Sequence, residues 1–350
     1  MRYVSLENVQ QGEKLGKQIL SNDGRIMLSK GVQLTVGLIS KLRAMGVSAL
    51  FIEDTRFDDI VIEEVVSETT KRETMKTLAN SVQFLQQDKP LNGEEISNSV
   101  DSIIEEIMGN HEVLMSITDI RTKENEIFVH LLNVCILSTM IGVKLNLNRE
   151  RIQELAIGAI LHDIGKLIDR VPLKDIPSGY SGGEEELKHH SWKGFNVLRK
   201  SSDISTLSAH IALAHHEYVD GSGLPRGMQG EDIHFLAKIV AVTNDYDRLI
   251  THSDPAEKMF PHEAGEYIMS LTGKRYDHNV VWRFLRSIAF YPNGTQVKLS
   301  TNQVGVVTGQ HKGLPQRPII RVYDGDEESF TFEEVDLAVE TTVFISKVYD

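Results

Sequence analysis

The stretch that most constrains the fold is a short apolar helical run, A-I-G-A-I-L at 156 to 161, that leads directly into His162-Asp163. Burying an imidazole beside a carboxylate is unfavourable by several kcal/mol unless a cation or other partners compensate. Further polar groups of the right kind recur along the chain: the pair His215-His216 in A-L-A-H-H-E-Y-V-D-G-S-G-L-P, the pair His189-His190, and His130 four residues after Glu126. A spacing of four puts Glu126 and His130 on one face of one helix. Imidazoles and carboxylates carried on helices tens of residues apart are what a multinuclear metal site between helices requires. A helical bundle is therefore expected.

The rest of the chain agrees with a mainly α protein flanked by two smaller units. Residues 1–53 read as a small α+β unit: a strand near Met1 to Val4, two strands about an N-D-G turn, a helix with Val36, Ile39 and Leu42 on one face and Gly46 at its end, and a closing strand V-S-A-L-F-I. Residues 54–110 are acidic and helical with sparse apolar positions, which suits a connector or a homodimer-forming arm better than a core. Residues 111–290 carry dense helical periodicity, with helices near 125–145, 150–168, 184–200, 203–217, 232–250, 261–272 and 277–288. A loop containing Pro172, Pro177 and Ser178 to Gly183 follows the second of these, where a lid would sit. Residues 291–350 alternate in short runs between N-G, K-G and D-G-D signals and predict a five-stranded antiparallel accessory unit.

Composition narrows the function classes. The net charge of -13 argues against a nucleic-acid polymer as partner, since such binders present a basic face, but a small phosphorylated ligand needs only a few local cations. Cys135 is the one cysteine and reads as a buried small hydrophobe; with no intrachain disulfide available, a reducing compartment is expected. The N-terminus lacks a signal-peptide run, and no stretch reads as a membrane span, so a cytoplasmic protein without membrane insertion is expected.

H-D-I-G-K followed by H-H-E-x-x-D-G-S-G-x-P resembles the HD-GYP family of the HD phosphohydrolase superfamily, whose members hydrolyse cyclic di-GMP; the match spans about residues 120–275. The resemblance implies that His162, Asp163, His190, His215 and His216 are metal ligands, with Asp163 bridging two ions. Glu126 and His130 have the spacing that adds a third ion in some members. Two or three divalent cations, iron or manganese, are thereby implied, with a bridged hydroxide attacking a phosphodiester of cyclic di-GMP or a related cyclic dinucleotide to give linear pGpG or GMP. Lys166, at the family's G-K position, would neutralise a phosphate oxygen. Gly223, Leu224 and Pro225 would form the substrate-facing turn.

Three positions depart from the family pattern. Leu224 stands where the family has tyrosine, which removes a hydroxyl and a ring from the turn. Asn244 stands where the family's last aspartate ligand falls, and Asp247, one turn further along the same face, is a candidate to replace it. T-H-S-D-P-A-E-K occupies the place of a basic stretch, with Arg248 and Lys258 as the nearby cations. These changes raise an alternative: a weakly active or inactive homologue that binds the nucleotide or a partner protein and signals through its flanking units.

Overall fold

The computed structural model describes residues 1–350 except 61, 88, 169–182, 253, 255, 327, 328 and 350; side chains at 55, 183–189, 324–326, 329 and 330 are also outside the description. The expected loop at Pro172 and Pro177 lies outside the described residues, and the side chain of His189 does too.

The N-terminal unit forms as its sequence predicts. Strand β1 (Arg2–Ser5) pairs antiparallel with β4 (Ala49–Ile52), and β2 (Ile19–Leu20) pairs with β3 (Ile26–Leu28). Helix α1 (Val36–Ala44) begins at Thr35, whose side chain accepts from the Leu38 amide, and Gly46 follows its end at φ +86°. Leu15, Ile19, Leu34, Leu42 and Leu50 pack between these elements.

Helices α2 (Glu68–Gln86) and α3 (Gly93–Gly109) overturn the reading of this segment as a connector with little core. Ile96, Val100, Ile103, Ile104 and Ile107 of α3 form a buried stripe at helical spacing, and Met75, Leu78 and Val82 of α2 join the same main core. Apolar counting underestimated α2 because several of its buried positions are polar. Among them, Lys71 lies inside and reaches Asp119 at 3.0 Å and Glu64 at 3.1 Å.

The main bundle continues with α4 (Glu126–Lys144), α5 (Arg149–Ile160), α6 (Gly183–Leu198), α7 (Thr206–Ala214), α8 (Phe235–Ile250), α9 (Pro261–Ser270) and α10 (His278–Leu285). Helix α4 is its axis and packs on α5 and α8. By length and composition α4 could cross a membrane, contrary to the sequence reading, but 83% of its most apolar window is buried inside the protein. An unbroken apolar helix is what a central bundle position demands, since all its faces meet other helices. Helix α5 stops at Ile160, eight residues before the predicted end, and a 3-10 turn at Ile164–Leu167 follows. His162-Asp163 therefore occupies the break between the two.

The C-terminal unit is the expected five-stranded antiparallel sheet. Strands β5 (Gln296–Leu299), β6 (Val304–Gly309), β7 (Ile319–Asp326), β8 (Ser329–Asp336) and β9 (Ile345–Val348) lie in the order β8-β7-β6-β5-β9. Val297, Leu299, Val307 and Ile320 form its core. The two end units meet where the Tyr3 amide donates to Gly294 O, and Phe57 and Ile60, just after the N-terminal unit, bury against Val306.

Candidate metal centre

Four helical elements deliver polar side chains to one buried point. His130 lies in the second turn of α4, His162 and Asp163 lie in the break after α5, His190 is on α6, and His215 and His216 close α7. All six are at most 5% exposed. The break after α5 is held against α6 by Gly165, where a Cβ would lie 2.1 Å from His190 O. No larger residue allows that approach, so the glycine of H-D-I-G-K sets the distance between Asp163 and His190.

The Asp163 carboxylate is central. Its Oδ1 lies 3.0 Å from His190 Nε2 and 3.4 Å from His215 Nε2. Its Oδ2 lies 3.5 Å from His162 Nε2 and 3.6 Å from His130 Nε2. Potential ligand atoms fall into two groups, Asp163 with His190, His215 and His216, and Asp163 with His130 and His162; within each, all lie within 4.8 Å of one another. Asp163 belongs to both.

The donor set fits divalent cations on grounds of hydrogen bonding. His162 Nδ1 is 2.7 Å from Ala159 O and His215 Nδ1 is 2.9 Å from Ala212 O, so each Nδ1–H is donated to a carbonyl and each Nε2 turns a lone pair inward. His130 Nδ1 is likewise engaged, 2.6 Å from Asp247 Oδ2. Yet His130 Nε2 and His162 Nε2 stand 3.2 Å apart, and His190 Nε2 and His215 Nε2 stand 3.4 Å apart. Facing lone pairs repel unless a cation or proton lies between them. The buried Nε2 of His216 has no hydrogen-bond partner among the described residues. Two pairs of converging nitrogens about one shared carboxylate suit more than one ion.

The local field agrees. Burial pushes His162 and His216 well below the ordinary imidazole value and His215 down to about 4, which keeps these rings neutral, the form that ligates metal. Burial would also lower His130, but Asp163 and Asp247 hold it above its ordinary value. Burial alone would raise the Asp163 carboxyl, while the imidazoles around it, His162 foremost, keep it well below the usual carboxylate range.

Other predicted site residues lie around this core. Lys166 Nζ is 2.6 Å and Arg248 Nη2 is 3.3 Å from Asp163 Oδ2. Asn244 is fully buried and its Nδ2 donates to Asp245 Oδ1 at 2.9 Å, while its Oδ1 has no hydrogen-bond partner among the described residues. Asp247 falls in neither ligand group: its two oxygens are taken by His130 and by Arg121, on the far side of the His130 ring. Glu126 is exposed in the first turn of α4 and also falls outside both groups. Lys258 lies instead on the wall of a cavity where the three units meet.

The turn carrying Gly223, Leu224 and Pro225 folds back on the end of α7. The Leu224 amide donates to His216 O at 2.8 Å, and a Cβ on Gly223 would lie 2.2 Å from the Tyr218 amide nitrogen. Glu217, which sequence reasoning passed over, is 2% exposed, and its two oxygens accept from the amides of Arg226 and Met228 at 2.7 and 2.9 Å. It clamps the turn beside the histidine pair; its place directly after them was the available signal. Arg121 had no such signal, because its partner Asp247 is 126 residues away.

An HD domain matches residues 114–280, and a KOW domain associated with the HD domain matches residues 296–350. A cyclic di-GMP phosphodiesterase of Pseudomonas aeruginosa is 29% identical over 228 residues, covering 65% of this chain and 55% of its own length. A cyclic di-GMP phosphodiesterase of Thermotoga maritima is 36% identical over 179 residues, covering 50% of this chain and 48% of its own. The chain thus spans about half the length of these relatives. Bd1817, an HD-GYP-type protein of Bdellovibrio bacteriovorus, shares the fold with a TM-score of 0.50 at 18% identity, over 81% of this chain and 97% of that one. The chain thus carries an HD domain, and the matching relatives together with an H-D…H-H-E-x-x-D-G-S-G-L-P signature, in which leucine replaces tyrosine, support its placement in the HD-GYP family.

Proposed function

We propose that this protein is a metal-dependent phosphodiesterase that opens cyclic di-GMP, or a related cyclic dinucleotide, to linear pGpG or GMP. The observation that carries this reading is the sharing of Asp163 by two groups of buried imidazoles whose Nε2 atoms converge. Two or three divalent cations, iron or manganese, are the cofactors; when bound they supply an acidified water and charge neutralisation at phosphorus. His130, His162, His190, His215 and His216 would hold them with Asp163, and the unpartnered buried Oδ1 of Asn244 is a candidate neutral addition.

The chain's own residues prepare the substrate side. Lys166 and Arg248 have side chains 24% and 40% exposed, so they stand between Asp163 and solvent, where a phosphate arrives. Their charges attract the diester and orient its free oxygens. Glu217 fixes the turn of Gly223, Leu224 and Pro225, which presents an apolar side chain to the base. The relatives' names supply the substrate class; the protein works in the cytoplasm in this reading.

Anaerobic reconstitution with Fe(II) or Mn(II) followed by incubation with cyclic di-GMP tests the proposal. Linear or mononucleotide product is expected, and it should vanish in His162→Ala and Asp163→Ala. Leu224, which lacks the hydroxyl and ring of the family's tyrosine, favours the second reading of a nucleotide-binding homologue without turnover. Tight binding with no product under either metal would establish that reading and refute the first.

A further inference from the structure

The N-terminal unit, the bundle and the C-terminal sheet meet around a cavity of about 280 Å³. None of the six clustered residues lines it. Tyr3 and Phe51 come from β1 and β4, Arg121 from the segment before α4, Lys258 and His262 from the approach to α9 and its first turn, and Tyr291 from the segment before β5.

Its walls combine flat aromatic surface with positive charge. His262 stacks with Phe260, at 5.9 Å and 18°, and with Tyr291, at 5.0 Å and 27°. The buried Nε of Arg121 and Nδ1 of His262 have no hydrogen-bond partner among the described residues. Of the acids on the wall, Asp119 is neutralised by Lys71 at 3.0 Å and Glu126 faces solvent. In a chain of net charge -13, an aromatic wall with Arg121 and Lys258 beside it is a local exception.

The cavity lies behind the metal centre. Arg121 donates to Asp247, and Asp247 accepts from His130 Nδ1, while the opposite nitrogen of that ring looks onto Asp163. A ligand in the cavity is therefore separated from the cluster by the His130 ring and its two supports.

We propose that this cavity binds a nucleoside monophosphate, with its base on the aromatic wall that the Phe260, His262 and Tyr291 stack forms and its phosphate on Arg121 and Lys258. The volume is at the lower end for small-molecule sites, which suits one nucleotide rather than two. Rings of this kind stack on any base, and Arg and Lys cations recognise phosphate. A phosphate drawing on Arg121 loosens Asp247 and, through it, the hold on His130, so occupancy lowers metal affinity at the cluster, and by linkage metal lowers affinity for the nucleotide.

Calorimetric titration of GMP into the full chain stripped of metal by chelation tests this, independently of whether the cluster hydrolyses anything. One equivalent is expected to bind, about tenfold or more weakly in each of His262→Ala and Lys258→Glu, and unchanged in Asp163→Ala. Saturating GMP should lower the affinity for Mn(II) by about threefold or more. Absence of binding to the stripped protein overturns the site. Loss in Asp163→Ala with retention in Lys258→Glu does so as well, by assigning GMP to the cluster, and an unchanged Mn(II) affinity overturns the link through Arg121.

Discussion

Asp247 holds His130 from behind: its Oδ2 lies 2.6 Å from Nδ1 of the imidazole while its Oδ1 is bound by Arg121. The carboxylate thus fixes which nitrogen of His130 is free to face Asp163. Removing its charge should loosen the ring without removing a ligand. Asp247→Asn is expected to weaken metal binding by about 10- to 100-fold, the usual range for a residue that orients a ligating histidine. Metal titration with a competing chelator checks this, and an unchanged affinity would show that Asp247 is dispensable to the site.

Asn244 offers a neutral oxygen with no partner in a buried position. Asn244→Asp should raise the affinity for Mn(II) by about tenfold or increase the number of ions per chain, because a carboxylate binds a hard cation more strongly than a carboxamide. Elemental analysis of the purified variant beside the parent reads the outcome. Equal metal content and affinity would mean that position 244 does not reach the ions.

Gly165 admits the close approach of the 3-10 turn to α6. In Gly165→Ala the new Cβ would sit 2.1 Å from a backbone oxygen of His190 and 2.8 Å from the Gly194 nitrogen, so the two elements must part. Overpacking of this kind destabilises by about 1–3 kcal/mol, and here it also separates Asp163 from His190. Denaturation of the metal-free protein and metal titration should both register the change. A variant as stable as the parent with undiminished metal binding would contradict the packing argument.

Cys135 is buried in α4, its thiol donates to Ala156 O at 3.4 Å, and burial pushes its pKa up to about 12. Because only the thiolate reacts, and a folded pKa this high leaves almost none of it at pH 8, the native protein should resist alkylation there. Unfolding returns the group to its ordinary value near 8.5, so reaction should follow within the normal time for a free thiol. Mass spectrometry of iodoacetamide-treated samples with and without denaturant distinguishes the two. Rapid native labelling would contradict the burial of this helix face.

Local signals along the chain determined most of the architecture. Periodicity located most helices of the bundle because each buries one broad apolar face, and the N-D-G turn, Gly46 and the alternating runs after Tyr291 marked the two β-containing units. The same local reading failed for α2, where buried polar residues such as Lys71 hide a core-facing surface, and for the end of α5, where contact with α6 turns the chain at His162. Residue types and doublets also singled out the histidines and Asp163, since unsupported buried imidazole and carboxylate pairs are too unfavourable to occur without purpose. What only the tertiary structure decided is how those groups meet and what stands behind them. Arg121 with Asp247, Glu217 with the amides of Arg226 and Met228, and the exposed placement of Glu126 all follow from helices packed at long sequence separation. Spacing within one helix fixes a face, but the direction in which that face looks is set by its neighbours.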